Sequence, residues 1–148
     1  MRVIVQRVAR AEVRADGRTL GKIGRGFVIL VGVGRDDTEA DADYILDRVI
    51  GLRVFADAAG KMNLALAAIG GALLVVSQFT LHADTSQRRP SFTGAAPPKD
   101  ALRLYQYLLS RARLHDVSVE AGEFGAQMEL ELVNDGPVTI ILDSRIRS

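Results

Sequence analysis

The sequence predicts one compact α/β domain, built from roughly eight strands and two main helices. Three observations support this: valine- and isoleucine-rich runs of strand length, two segments with helical spacing of apolar residues, and a length usual for one domain. Hydrophobic residues make up 48% of the chain and charged residues 25%, close to the globular average. No repeat, linker or low-complexity segment interrupts the sequence, so we expect a single domain over residues 1–148.

The N-terminal part of the chain has the composition of strands. Residues 2–8 are rich in valine and isoleucine, and residues 11–15 and 18–23 flank Asp16-Gly17, a favoured two-residue hairpin turn. Residues 27–33 form a continuous apolar run of strand length. Such a run predicts a strand that is buried on both faces.

The first helix is expected to follow Thr38, which we interpret as its N-cap. Acidic residues occupy the first turns, and apolar residues recur with helical spacing until the helix ends near Gly51. A short strand at residues 52–56 and a turn from Asp57 to Lys61 complete this part of the prediction.

The second half begins with Gly70-Gly71, which breaks the chain before a second predicted buried strand at residues 72–79. Residues 82–98 contain charged residues, a glycine and three prolines, and therefore predict a long loop of the kind that often carries function. A second amphipathic helix is predicted from about Lys99 to His115. Three strand-like segments end the chain: 117–124, 127–133 and 138–144.

Two polar segments are candidate functional sites. The first, Ser77-Gln78-Phe79-Thr80-Leu81, lies at the end of a predicted buried strand, where a rigid support can aim neutral hydrogen-bonding groups. The second, Asn134 to Thr139, joins the last two predicted strands. Judged by residue types alone, simpler interpretations stay open. The first segment fits a strand end whose hydroxyls satisfy backbone groups, and the second fits an ordinary hairpin turn.

Gly136-Pro137 is the unusual part of the second segment. Glycine can approach a ligand closely because it has no Cβ, and a peptide bond that precedes proline can be cis. A cis bond here would turn neighbouring carbonyl groups in the same direction and would make a rigid backbone wall.

Several kinds of catalytic site are excluded by composition. The chain has no cysteine, which excludes disulfides, thiolate metal sites and a cysteine nucleophile. Its two histidines, His82 and His115, are too few for a multi-histidine metal site, which leaves only a carboxylate site open. We expect neither a metal nor another cofactor. We interpret His82 as a surface or supporting residue and His115 as a cation at a helix end. Gly32 and Gly34 lack the third glycine and the following helix of a dinucleotide loop.

Charge and hydropathy narrow the expected partners and location. A formal net charge of +1 argues against a broad basic surface for nucleic acid, although clustered arginines leave a local patch open. Arginine and glutamine interrupt the apolar residues at the N-terminus, and no apolar run approaches a membrane span. We therefore expect a soluble cytoplasmic protein that binds neither membrane nor DNA.

Along almost its whole length the sequence resembles the D-aminoacyl-tRNA deacylase family. SQFTL and NDGPVT in this order are highly specific together. The segments that carry the resemblance are RVIVQRV (2–8), KMNLAL (61–66), LLVVSQFTL (73–81), RPSF (89–92), GEFGAQM (122–128) and NDGPVT (134–139).

This resemblance implies a β-barrel-like α/β domain that forms a twofold homodimer. It also implies hydrolysis of the ester that joins tRNA to a D-amino acid, or to glycine mischarged on tRNA-Ala. Ser77, Gln78, Phe79 and Thr80 would line the pocket for the 3′-terminal adenosine and the ester. In the family the Gly-Pro peptide is cis and enters the partner's site, where its carbonyl groups exclude an L side chain. The resemblance implies this role for Gly136 and Pro137, with Met128 close by.

Other features qualify the resemblance. Ser86-Gln87-Arg88 stands in a loop that is shorter than usual for the family, so its RNA contacts stay open. The intact SQFTL favours the D-specific branch over relatives that clear L-alanine. Phe79 is either an apolar surface for adenine or a core residue.

Two other classes of protein remain as alternatives to a deacylase: a non-catalytic dimeric module that binds RNA or a nucleotide, and an unrelated small-molecule hydrolase.

The two segments also lack the residues that an activated hydroxyl requires. Thr80 is the obvious candidate nucleophile, but neither segment contains a histidine or lysine, and Asp135 is their only acid. We therefore expect the 2′-hydroxyl of the terminal ribose to assist the reaction. The protein would then contribute positioning and backbone N–H groups near Phe79 and Thr80.

Overall fold

The computed structural model describes residues 1–147 and has an α/β fold, in which a nearly closed, barrel-like sheet packs against two helices. The strands are β1 (Arg2–Ala15), β2 (Arg18–Ile23), β3 (Gly26–Gly32), β4 (Phe55–Ala56), β5 (Met62–Leu64), β6 (Ala72–Ser77), β7 (Ser118–Ala121) and β8 (Glu129–Asp143). The helices are α1 (Glu39–Gly51) and α2 (Pro98–Ala112), with short 3₁₀ helices at Ala67–Ile69 and Phe79–His82.

The long strand β1 organises the sheet. Its first half pairs antiparallel with β3, its second half pairs antiparallel with β2, and β8 runs antiparallel along its other edge. β3, β6 and β7 then continue the sheet as parallel neighbours. The outer strands approach each other closely, because a Cβ at Gly21 of β2 would lie 3.1 Å from the carbonyl oxygen of Ala121 of β7. The sheet thus curls almost into a barrel.

Apolar side chains fill both faces of the central strands. Phe27 and Ile29 of β3 pack with the apolar faces of α1 and α2, whereas Val28 joins a second cluster on the other face of the sheet. Each large apolar side chain so buried contributes about 1.5–3 kcal/mol to folding. The prediction that residues 27–33 are buried on both faces is confirmed for β3. Thr38 is the N-cap of α1, as predicted, and its backbone N–H donates to the Asp41 carboxylate at 2.8 Å.

None of the helices in the described part of the chain is long and apolar enough to cross a membrane.

The structure corrects the predicted turn at Asn134–Pro137. Segments 127–133 and 138–144 are not joined by a hairpin; apart from residues 127, 128 and 144, they belong to the single strand β8. In its register with β1, Gln6 pairs with Thr139 and Val8 pairs with Asn134, so residues 135–138 stand opposite Arg7 alone. The segment is therefore a bulge of four residues opposite one. Local residue types resemble those of a turn because both structures need glycine and polar side chains that satisfy backbone groups.

Other boundaries also differ from prediction. Residues 2–8 and 11–15 form one strand, and the segment 72–79 ends as a strand at Ser77. The predicted strands 52–56 and 117–124 shorten to the bounds of β4 and β7, because few of their residues find a ladder partner. Helix α2 begins at Pro98, in a first-turn position that proline favours, and ends at Ala112. The short strand β5 was not predicted.

Candidate functional site

An apolar pocket of about 500 Å³ opens where β3 and β6 end. These strands are parallel and Val31 pairs with Ser77, so their carboxyl ends meet at the same edge of the sheet. The polar residues that follow β6 therefore face the start of α2 across the pocket. Ser77, Gln78 and Phe79 form one wall, and the other walls include Val31, Val33, Phe92, Ala101, Tyr105 and Phe124.

A smaller pocket of about 230 Å³ lies beside the first and shares this polar wall. Its lining also contains Ser77, Gln78 and Phe79, together with Met128 and Leu130. Gly125 borders both pockets. The structure thus brings Met128 together with the segment Ser77–Phe79.

Phe79 is exposed at the mouth of these pockets. Its side chain is 56% accessible, and its ring meets Phe92 edge-on with ring centres 5.1 Å apart. The interpretation of Phe79 as a core residue is therefore wrong. The strand ends before Phe79, and the following 3₁₀ helix turns its ring outward. The result is an exposed aromatic pair beside an apolar cavity.

Thr80 has no base as its partner. Its hydroxyl accepts a hydrogen bond from the Gln78 side-chain amide at 2.6 Å. His82 points away from it, because its Nε2 lies 2.9 Å from the carbonyl oxygen of Gly32. Among residues 1–147, no hydrogen bond joins Thr80 to a histidine or a carboxylate. The geometry within one chain therefore does not activate the Thr80 hydroxyl as a nucleophile.

The structure does not bring Gly136 and Pro137 to the pockets of the same chain. Both are exposed in the bulge of β8, and β1 and β3 lie between β8 and β6. Neither residue lines the two pockets described above. Their peptide bond is cis, in agreement with the resemblance described above. The two candidate segments thus lie apart within one subunit.

Arg7 braces the bulge, and sequence reasoning missed it. Its side chain is 13% accessible; Nε donates to the carbonyl oxygen of Asp135 at 3.2 Å and Nη1 donates to that of Val54 at 2.5 Å. Asn134 adds a second brace, since its Nδ2 donates to the carbonyl oxygens of Arg7 and Val138, both at 3.0 Å. Only the register of β1 with β8 reveals this arrangement. The one signal in the sequence is an arginine inside an apolar strand.

Gly136 occupies a position that a larger residue fits poorly. Its φ angle is +119°, and an added Cβ would lie 2.8 Å from Nη2 of Arg7 and 3.0 Å from Cγ2 of Val138. A side chain at this position would therefore strain the backbone and push against the residue that holds the bulge.

Tyr105 lines the larger pocket and is another residue that the sequence did not identify as functional. Its hydroxyl donates to the carbonyl oxygen of Val75 at 3.0 Å, inside the core. Burial raises the pKa of Tyr105 to about 12. The phenol therefore stays neutral near pH 7 and forms a fixed wall of the pocket rather than an acid–base group.

No group of three or more histidine, cysteine, aspartate or glutamate side chains in the described part of the chain is placed to hold a metal ion.

The raised pKa of Tyr105 predicts how stability depends on pH. Folding favours the neutral phenol, so this contribution is complete below the ordinary tyrosine pKa of about 10 and is lost as the pH rises towards about 12. Urea unfolding of the wild type should lose about 2–3 kcal/mol more over this range than that of Tyr105→Phe. At pH 7 to 9 the difference between the two proteins should be constant, which provides the control. Parallel curves up to pH 12 would show that the phenol is not buried as described.

Comparison with known proteins shows the family of this chain. Residues 4–143 match the family model described as D-Tyr-tRNA(Tyr) deacylase. The D-aminoacyl-tRNA deacylase of Anaeromyxobacter dehalogenans (strain 2CP-C) is 56% identical over 146 residues, which cover 98% of each chain. That of Lacticaseibacillus casei (strain BL23) is 52% identical over 148 residues, which cover 99% of this chain and 100% of the relative.

Solved structures show the same architecture. The protein solved as c-Myc DNA Unwinding Element Binding Protein superposes with a TM-score of 0.92 at 36% identity, over 97% of this chain and 98% of that one. A probable eukaryotic D-amino acid tRNA deacylase superposes with a TM-score of 0.82 over 96% of this chain and 98% of that one; at 16% identity it supports the fold alone. The resemblance seen in the sequence is confirmed: the chain belongs to the D-Tyr-tRNA(Tyr) deacylase family and is a hydrolase of the D-aminoacyl-tRNA deacylase class.

Proposed function

We propose that this protein hydrolyses the ester between the 3′-terminal adenosine of tRNA and a D-amino acid or glycine, and that it spares L-aminoacyl-tRNA. The products are the free amino acid and tRNA. The observation that carries the proposal is the apolar pocket walled by Ser77, Gln78 and Phe79, in a chain of this family. We place the reaction in the cytoplasm, as chiral proofreading in translation, and it requires no cofactor.

The larger pocket suits the terminal adenosine. An unpaired base at the end of an RNA strand can be held by apolar walls and an aromatic ring. Phe79 and Phe92 provide the aromatic surface, and the polar atoms of Ser77 and Gln78 lie along the adjoining wall for the ribose and the ester. Thr80 does not line the pocket, but its hydroxyl is hydrogen-bonded to the Gln78 side chain next to it. Met128 lines the smaller pocket, where the aminoacyl group would lie beside the ester.

Rejection of the L form requires a second copy of the chain. Gly136 and Pro137 line neither pocket of their own subunit, and β8, which carries them, pairs only with β1 among the described strands. Val133 and Ile141 on β8 are 42% and 69% exposed, which offers apolar surface for an interface. A twofold homodimer would insert the Gly136–Pro137 segment of each subunit into the pocket of the other.

A braced backbone segment is a suitable device for chiral discrimination. Arg7 and Asn134 hold the bulge in place, so its carbonyl groups cannot move aside as a side chain can. An L side chain that points at them meets a steric clash, whereas the side chain of a D-amino acid points outward. Glycine has no side chain to exclude, so glycyl-tRNA, including glycine mischarged on tRNA-Ala, is also a substrate.

The chemistry is assisted by the substrate. Water attacks the carbonyl carbon of the ester, and the free 2′-hydroxyl of the terminal ribose relays the water's proton to the 3′ oxygen as the bond between that oxygen and the acyl carbon breaks. The substrate has this role because no base adjoins Thr80. The backbone N–H groups of Phe79 and Thr80 stabilise the negative charge that develops on the carbonyl oxygen of the ester. The protein thus contributes position and fixed dipoles rather than a nucleophile.

The first test compares the two enantiomers. Purified protein should release free tyrosine from D-Tyr-tRNA, and glycine from Gly-tRNA, at rates far above those of the uncatalysed reactions, and should leave L-Tyr-tRNA intact. Gly136→Val should lower activity on every substrate, because the new side chain obstructs the pocket, whereas Gly24→Ala, at an exposed position with open space, is the control. Binding of D-Tyr-tRNA without release would favour a non-catalytic module, and equal release from both enantiomers would refute the chiral role.

A complementation experiment tests whether the site is shared between subunits. Gly136→Val should block the partner's pocket, and Ala95→Trp should fill the larger pocket of its own chain. Each variant alone should be nearly inactive, but mixed dimers contain one intact site, so co-refolding the two should restore about a quarter of wild-type activity. Separately refolded variants are the control. No recovery, despite mixed dimers detected by distinct affinity tags, would contradict a site completed by the partner subunit.

The third test separates a protein nucleophile from assistance by the substrate. Thr80→Ala and His82→Ala should each keep substantial activity, with losses well below the roughly 100-fold or more expected for a general base. D-Tyr-tRNA that ends in 2′-deoxyadenosine should be cleaved poorly by the wild type. An inactive Thr80→Ala protein that still folds and binds, together with normal cleavage of the deoxy substrate, would identify Thr80 as the nucleophile.

A further inference from the structure

Close packing, rather than a ligand-binding loop, explains why residues 32 and 34 are glycines. A Cβ at Gly32 would lie 2.9 Å from Cβ of Leu81 and 3.0 Å from the carbonyl oxygen of Gln78. A Cβ at Gly34 would lie 3.0 Å from Cε1 of the His82 ring. The 3₁₀ helix Phe79–His82 therefore packs against the end of β3 more closely than an ordinary side chain permits.

His82 is hydrogen-bonded within this contact. Its half-buried ring places Nε2 at 2.9 Å from the carbonyl oxygen of Gly32. A carbonyl oxygen only accepts, so Nε2 carries the proton and donates. The bond joins residues 50 positions apart in the sequence and holds the C-terminal end of the 3₁₀ helix on β3.

Two further hydrogen bonds hold the same short segment. The backbone N–H of Gln78 donates to the carbonyl oxygen of Val31 at 2.7 Å, at the N-terminal end of the 3₁₀ helix. From β1, Nη1 of Arg2 donates to the carbonyl oxygen of Leu81 at 2.9 Å. The backbone is thus fixed at residues 78, 81 and 82, on both sides of the exposed pair Phe79 and Thr80.

We infer that His82 is a positioning residue for the deacylation reaction. Through its bond to Gly32 it sets the distance of the Phe79–Thr80 backbone from β3, and Gly32 and Gly34 provide the space that this requires. His82 touches neither ester nor water; it acts through the segment that does. This inference rests on the proposed function, because it takes Phe79 and Thr80 as the wall that meets the ester.

The experiment compares His82→Ala with His82→Gln in single-turnover and steady-state deacylation of D-Tyr-tRNA. Loss of one hydrogen bond should lower kcat about 3- to 10-fold in His82→Ala and leave KM close to the wild-type value. The glutamine amide can reach the Gly32 carbonyl oxygen, so His82→Gln should recover most of the rate. His115→Ala, at an exposed histidine on the surface, is the matched control and should behave as the wild type.

A double-mutant cycle on kcat distinguishes a positioning role of His82 from a role in stability alone. Gly34→Ala should lower kcat because its methyl group pushes the His82 ring, and the same substitution should have little further effect in the His82→Ala protein. Additive effects on kcat, or a wild-type kcat in a folded His82→Ala protein, would overturn the inference.

The backbone amide signals of Phe79 and Thr80, recorded by nuclear magnetic resonance, keep this test separate from the test of function. They should shift in His82→Ala and return towards the wild-type positions in His82→Gln. If the wild type released no amino acid, the proposed function would fail, and these shifts would still decide whether His82 positions the segment. Unchanged amide signals in His82→Ala would overturn the positioning role whatever the activity.

Discussion

The pairing of β1 with β8 is the interaction on which the rest of this structure depends. β1 is the common neighbour of β2, β3 and β8, so its register sets the positions of both ends of the sheet. The register of the ladder shifts at two neighbouring places, and the larger irregularity lies where residues 135–138 stand opposite Arg7. The apolar residues on either side keep the strands together, and this irregularity can therefore project Gly136 and Pro137 from a rigid support without unfolding the edge.

The same pairing separates the two candidate segments. β6 ends at Ser77 and leads directly into residues 78–80, whereas β8 lies on the far side of β1 and carries Gly136 and Pro137. In the proposed dimer this separation is a functional constraint, because a lone subunit holds the pocket but not the group that rejects L substrates. Chiral selectivity would then depend on association, and association depends on protein concentration.

Local sequence patterns predicted much of the fold but only one of the two segments of the candidate site in its observed local structure. The buried strand β3, the N-cap at Thr38 and the polar segment at the end of β6 follow from short-range periodicity and residue type. The bulge does not, because turn residues satisfy backbone groups in a hairpin and in a bulge alike. Arg7 and Tyr105 were missed for a related reason: their partners, Asp135 and Val75, are distant in the sequence and are revealed only by strand register and core packing.

The site contains few ionisable groups, and this suits the proposed reaction. Thr80 is bonded to a neutral amide, and Tyr105 stays protonated because burial raises its pKa to about 12. A charged side chain beside the ester would interact with many different aminoacyl groups and would favour some over others. In the proposed reaction, backbone dipoles and the braced Gly-Pro segment would act on the parts that all aminoacyl esters share, the carbonyl group and the α-carbon. A site built from backbone groups would then select substrates by configuration rather than by side chain.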